Sequence, residues 1–126
     1  MNDLNICLVQ VNLAWEDPDA NRQKIATMLK DEVGKHDLII LPEMYTTGFT
    51  MQPKDVAEPN GGKESGMWMQ LLSRQLGAVI LGSVVVEEAG KYYNRVLVVN
   101  GEGIVMKYDK RHLFRMAGEH KRYLAG

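Results

Sequence analysis

The sequence predicts a mixed α/β domain whose elements run β-α-β-α-β-β-β, and three observations carry that reading. Two apolar runs, 4–12 and 38–41, flank a segment with helical spacing. A second helical stripe follows a loop rich in glycine and proline. The last three apolar runs are separated only by turn signals, which a simple doubly wound sheet would not have.

Each element has a local reason. Residues 4–12 are rich in β-branched and apolar side chains bounded by polar ones, and read as a buried strand. Asp17 is placed to cap a helix with Pro18 at its first position; Ile25, Met28, Leu29 and Val33 then share a face, and Gly34 is expected to close it. The run 38–41 is too brief for a helix, and strand-helix-strand order favours a right-handed crossover and a parallel pair. Residues 46–62 hold Gly48, Gly61, Gly62, Pro53 and Pro59 and read as a long loop, a length that is often functional. Met67, Trp68, Leu71, Leu72 and Leu76 make the stripe of the second helix, closed by Gly77. Strands follow at 78–86, with Gly82 inside it, at 92–99 and at 104–109; the hairpin signal Asn100-Gly101-Glu102-Gly103 joins the last two. From there to Gly126 the pattern is irregular and basic.

Composition narrows the function. A chain of 126 residues makes one domain. Hydrophobic residues at 45% and charged ones at 25% are ordinary for a globular protein, so disorder is a poor reading. The net charge of −1 gives the chain as a whole no electrostatic case for nucleic acid or an anionic membrane, which leaves small molecules or proteins as partners. The single cysteine, Cys7, excludes an intrachain disulfide and a cysteine-based metal cluster, and suits a reducing compartment such as the cytoplasm. Asp3 stands where a signal peptide would be positive, and no apolar run approaches a membrane span. The eight methionines are read as flexible core filler.

Two side chains stand out as chemical candidates. Glu43 follows an apolar run and Pro42, so its strand must stop there and its carboxylate emerges at the C-terminal edge, where ligands bind in α/β sheets. Taken alone, it reads more readily as a solvated loop residue. Counting by twos, Ile104, Met106, Tyr108 and Lys110 share one face of the last strand, and Val105, Lys107 and Asp109 the other. If the apolar set faces the core, Lys110 points inward and needs a carboxylate or oxyanion beside it. Glu119, nine residues on in a glycine-containing stretch, is close enough to fold back there. His36, His112 and His120 match no metal motif, and Cys7 inside a strand is expected to be inert. The basic set Lys107, Lys110, Arg111, Arg115, Lys121 and Arg122 lacks interleaved stacking aromatics apart from Phe114 and Tyr123, and reads as a solvated face.

LPEMYTTGF at 41–49, GSV at 82–84, Asn94-Arg95, and YDKRHLFRMAGEH at 108–120 resemble the carbon-nitrogen hydrolase (nitrilase) superfamily, most closely its ω-amidase-like branch, in order along the whole chain. That resemblance implies a four-layer α-β-β-α sandwich that usually pairs with a second subunit, and a site needing no cofactor or metal. By motif position it implies Glu43 as general base, Lys110 as the oxyanion-binding lysine and Glu119 as a supporting glutamate. The nucleophilic cysteine of the family has no counterpart here, and its place is expected beyond Gly126. Residues 1–126 are therefore expected to form one partial domain, with the C-terminal half of the family fold absent and a large apolar face exposed or covered by another copy. The expected function is part of an amidohydrolase for small linear amides such as 2-oxoglutaramate. The alternative is a non-catalytic dimerisation or carboxylate-binding module, and a nucleic-acid binder using the basic tail is a third.

Overall fold

The computed structural model describes residues 2–126. Its elements are β1 (Ile6–Leu8), α1 (Pro18–Leu29), β2 (Leu38–Ile40), α2 (Pro53–Val56), α3 (Lys63–Leu76), β3 (Val79–Glu88), β4 (Lys91–Asn100) and β5 (Gly103–Asp109), followed by two 3-10 turns, Arg115–Ala117 and Glu119–Lys121. One five-stranded sheet in the order β1-β2-β3-β4-β5 joins them. β1, β2 and β3 are parallel, as crossover connections require, whereas β3, β4 and β5 are antiparallel.

Both main helices begin and end for local reasons, with one correction to the sequence reading. The Asp17 carboxylate accepts from the Ala20 N–H at 3.1 Å, and Pro18 occupies the first turn of α1. The helix stops at Leu29 rather than Gly34, because the Lys30 N–H turns back to the Thr27 carbonyl. Gly34, at φ +72°, lies in the turns beyond. Ile25 and Leu29 are consequently buried, while Met28 and Val33, which share their face on paper, are half exposed. α3 does end at Gly77, in the left-handed region at φ +69°. Its buried side is Met69, Leu72, Ser73 and Leu76; Met67 and Leu71 face outward.

Helices α1 and α3 cover one face of the sheet. Ile25 and Leu29 from α1, Met69, Leu72 and Leu76 from α3, and Ile39, Ile80, Val84, Leu97 and Val99 from the strands form that core. A Cβ on Gly82 would lie 2.9 Å from the Tyr45 ring and 3.0 Å from Leu41, so the missing side chain lets residues 41–45 close over β3.

The opposite face is covered only at one end. There Met44, Val85 and Tyr123 form a second small core with Phe49, Met51 and Leu113. Elsewhere it is bare: Ile6, Leu8, Met106 and Tyr108 are 47%, 74%, 63% and 51% exposed. The face on which parity sets Met106, Tyr108 and Lys110 is thus an exposed one rather than the core, and the parity itself needs correction at one position. A bulge between Val98 and Val99 sets Ile104 opposite Val99 but Met106 opposite Val98. Ile104 therefore packs toward Gly66 of α3, while Met106, Tyr108 and Lys110 share the other face.

Candidate active site

The site lies where the bare and covered parts of the second face meet. β2 ends at Ile40, and Leu41 makes one more ladder bond, from its N–H to the Leu81 carbonyl at 2.7 Å. Pro42 cannot donate, and the chain turns sharply through Glu43 and Met44. Met44 is a fully buried non-glycine residue in the left-handed region, at φ +49°. Such a conformation costs on the order of 1–3 kcal/mol. It is held by the Met44 N–H donating to Ser83 Oγ at 2.8 Å and the Tyr45 N–H to the Ser83 carbonyl at 3.1 Å. The turn projects Glu43 toward β4 and the end of β5.

Lys110 is placed by the sheet. Its N–H donates to the Asn94 carbonyl at 2.9 Å, extending the β4–β5 ladder one residue past Asp109. Arg95, buried on the other face, fixes that register through Asp109 at 2.6 Å and Glu88 at 3.1 Å. Lys110 Nζ lies 2.8 Å from Glu43 Oε1 and 3.1 Å from Glu119 Oε1. It also sits 5.3 Å above the centre of the Phe49 ring. Glu119 follows Gly118, whose φ of +81° reverses the chain, and its side chain is fully buried. Its Oε1 accepts the Phe114 N–H at 2.6 Å.

The three residues singled out from sequence are thus brought together. They are joined by one that had no assigned role: Asn94 donates to Glu43 Oε1 at 2.7 Å and approaches Glu119 Oε2 at 3.3 Å. Asn is poorly suited to strand interiors, so its presence in the middle of β4 was the available signal. A cleft of about 270 Å³ opens beside the cluster, lined by Glu43, Asn94 and Lys110 and by the apolar Leu81, Val96 and Tyr108. This arrangement can exchange a proton at a carboxylate and hold negative charge at an ammonium, both beside an apolar floor.

Other candidates lie elsewhere. Cys7 pairs with Ile39 in register and packs against the helix-side core, and burial followed by the charge of Glu32 raises its thiol above the usual range. His36 pairs with Glu32 at 2.9 Å. His112 and His120 line a separate cleft with Arg111 and Arg115. Among the described residues no three His, Cys, Asp or Glu side chains group to hold a metal ion, and no helix is long and apolar enough to cross a membrane.

Burial alone would lower the Lys110 pKa, but its hydrogen bonds to Glu43 and Glu119 and their charges outweigh it and raise it. Burial raises the phenols of Tyr45 and Tyr123, the latter helped by the charges of Glu119 and Glu16. All three groups hold their protons more tightly folded than unfolded. The stability they supply is therefore complete below the unfolded values, near pH 10, and is lost as pH rises beyond them. The unfolding temperature should stay roughly level between about pH 7 and 9 and drop above about pH 10, with a shallower drop in Tyr123→Phe. A level profile through the alkaline range in a calorimetric scan would contradict this.

Comparison with known proteins bears on the whole chain. The carbon-nitrogen hydrolase family profile matches residues 5–125. An omega-amidase, YafV, from Yersinia enterocolitica is 43% identical over 126 residues, covering 100% of this chain and 48% of that protein. A 2-oxoglutaramate amidase from Bacillus subtilis is 28% identical over 123 residues, covering 96% and 48%. The chain thus spans about half the length of the curated relatives it matches. Among solved structures, XC1258 from Xanthomonas campestris, a CN-hydrolase superfamily protein with an arsenic adduct in its active site, superposes with a TM-score of 0.91 at 42% identity, covering 100% of this chain and 47% of that one. Nit3 from Saccharomyces cerevisiae, at 24% identity, shares the fold with a TM-score of 0.83 over 98% of this chain and 48% of its own. With a helix layer on one face of its sheet, a matching family profile along nearly all its length and these structural neighbours, the chain belongs to the carbon-nitrogen hydrolase (nitrilase) superfamily.

Proposed function

We propose that this chain supplies the general base, the oxyanion-binding ammonium and the supporting carboxylate of an amidase for small linear amides, of the ω-amidase type, converting 2-oxoglutaramate to 2-oxoglutarate and ammonia. The observation that carries this reading is Lys110 Nζ held between Glu43 at 2.8 Å and Glu119 at 3.1 Å beside an apolar cleft. The names of the similar omega-amidase and 2-oxoglutaramate amidase support the choice of substrate.

An amide carbonyl resists water, so the reaction runs through a thiol. Glu43 takes the thiol proton, and the thiolate attacks the carbonyl carbon. Negative charge on the carbonyl oxygen is met by Lys110, whose raised pKa keeps it an ammonium. The proton returns from Glu43 to the departing nitrogen, and ammonia leaves a thioester. Glu43 then deprotonates water, which attacks the thioester; acid and free thiol result. Glu119 keeps Lys110 in place. Cys7 is not this thiol, because it lies on the helix-side face, away from Glu43. We take the nucleophile to come from outside residues 1–126, which form a partial domain of a cytoplasmic homo-oligomer. The chemistry is complete in side chains and calls for no cofactor.

The bare apolar part of the sheet favours one other reading, a non-catalytic form that dimerises through that face and binds carboxylates at Lys110. The two separate on one measurement. Full-length protein carrying this segment, mixed with 2-oxoglutaramate, should release ammonia in equal amount to acid. Acid-quenched samples should carry the mass of a thioester. Neither ammonia nor adduct would leave only the binding reading.

A further inference from the structure

Asn94 is 2% exposed and bound at both ends of its structure to the site. Its backbone carbonyl oxygen accepts the Lys110 N–H at 2.9 Å, which sets the two residues side by side across the β4–β5 ladder. The orientation of its side-chain amide follows from its neighbours. Carboxylate oxygens accept hydrogen bonds, and the amide nitrogen faces those of Glu43 and Glu119, at 2.7 Å and 3.3 Å. Asn94 Oδ1 is left buried without a donor. A residue that served stability alone would gain by avoiding that.

The two oxygens of Glu43 differ in consequence. Oε1 receives Asn94 Nδ2 at 2.7 Å and Lys110 Nζ at 2.8 Å. Oε2 receives no donor from the described residues, and the side chain is 48% exposed toward the cleft. We propose that Asn94 is a positioning residue that, together with Lys110, occupies Oε1 and so selects Oε2 of Glu43 as the oxygen that takes up the nucleophile's proton. The step balances: the S–H bond breaks, an O–H bond forms at Oε2, and the charge passes from carboxylate to thiolate. Asn94 also ties Glu43 to Glu119, fixing how far apart the two carboxylates stand. This rests on the proposed reading of Glu43 as base.

The test uses full-length enzyme and the variants Asn94→Asp, Asn94→Ala and Glu43→Gln, with kcat, KM, the pH dependence of kcat/KM and thermal unfolding as readouts. The titratable side chains lining the cleft with Glu43 are Lys110 and Tyr108, with Glu119 behind Asn94. Asn94→Asp keeps the shape and removes the donors. Its kcat should fall about 10- to 100-fold while KM stays within about twofold. The acid limb of its profile should move to higher pH, because a third carboxylate disfavours the charged form of the other two. Asn94→Ala should lose rate similarly and move the limb in the same direction, through loss of the donor to Glu43. A folded variant with kcat within about twofold of wild type overturns the proposal, as does a loss uniform across pH that follows the loss of folded protein. Wild-type turnover in Glu43→Gln overturns the underlying reading and the proposal with it. Loss in Glu43→Gln beside an unaffected Asn94→Asp overturns the proposal alone.

Discussion

On the role proposed for Glu43 as base, replacing it by glutamine in the full-length protein should lower kcat/KM for amide hydrolysis by about 10³-fold, within the usual range for removal of a general base. The substitution keeps the shape of the side chain. Its amide oxygen can still accept from Asn94 and Lys110, which lie 2.7 and 2.8 Å from Glu43 Oε1. The amide nitrogen then stands where Oε2 was, turning a proton acceptor into a donor. Folding should be nearly unaffected, because the Glu43 side chain is 48% exposed and its ion pair is partly screened. Continuous ammonia assay with a parallel unfolding scan distinguishes the cases. Full turnover would remove Glu43 from the chemistry, and an unfolded variant would mean that the residue holds the turn at Met44.

Lys110→Met should damage both rate and stability. Methionine keeps the apolar stem over Phe49 but removes the ammonium 3.1 Å from Glu119. Glu119 has no exposed side-chain surface, and its remaining donors are the Phe114 N–H at 2.6 Å and Asn94 at 3.3 Å. Stripping the partner from a buried charge costs about 3–5 kcal/mol, and the partial exposure of Lys110 places the expected loss near the lower bound. Making Glu119 neutral as well should recover much of this, so Lys110→Met/Glu119→Gln should be more stable to urea than Lys110→Met alone. Equal midpoints for the two would mean that Glu119 does not depend on Lys110. The rate should fall about 10²- to 10³-fold in either background, the usual loss on removing an oxyanion donor.

Local rules made much of this legible in advance. The cap at Asp17, the left-handed stop at Gly77, the end of a strand before Pro42 and the hairpin at Gly101-Glu102 each depend on neighbours in sequence, and each stands where it was expected. Met28, Val33, Met67 and Leu71 fooled the periodicity, because which apolar side chains are buried depends on how α1 and α3 lie on the sheet. Ile104 takes the other face because a bulge alters parity, and Gly103 beside it reads equally as part of the hairpin turn. Glu43 and Lys110 could be singled out because each follows the end of a strand. Glu119 was visible only as a nearby carboxylate, and its burial depends on the reversal at Gly118. Asn94 stands in the Asn94-Arg95 pair of the resemblance but carries no role from it; its contacts are to residues 51 and 25 positions away, a distance local pattern does not read.

The bulge between Val98 and Val99 does more than displace one isoleucine. In a strand of unbroken pleat, the hairpin end and the lysine end would be geared together, so any residue choice beneath α3 would dictate which side the lysine takes. One extra residue disengages that gear. The packing around Gly66 and the chemistry around Glu43 can each change sequence without turning the other inside out.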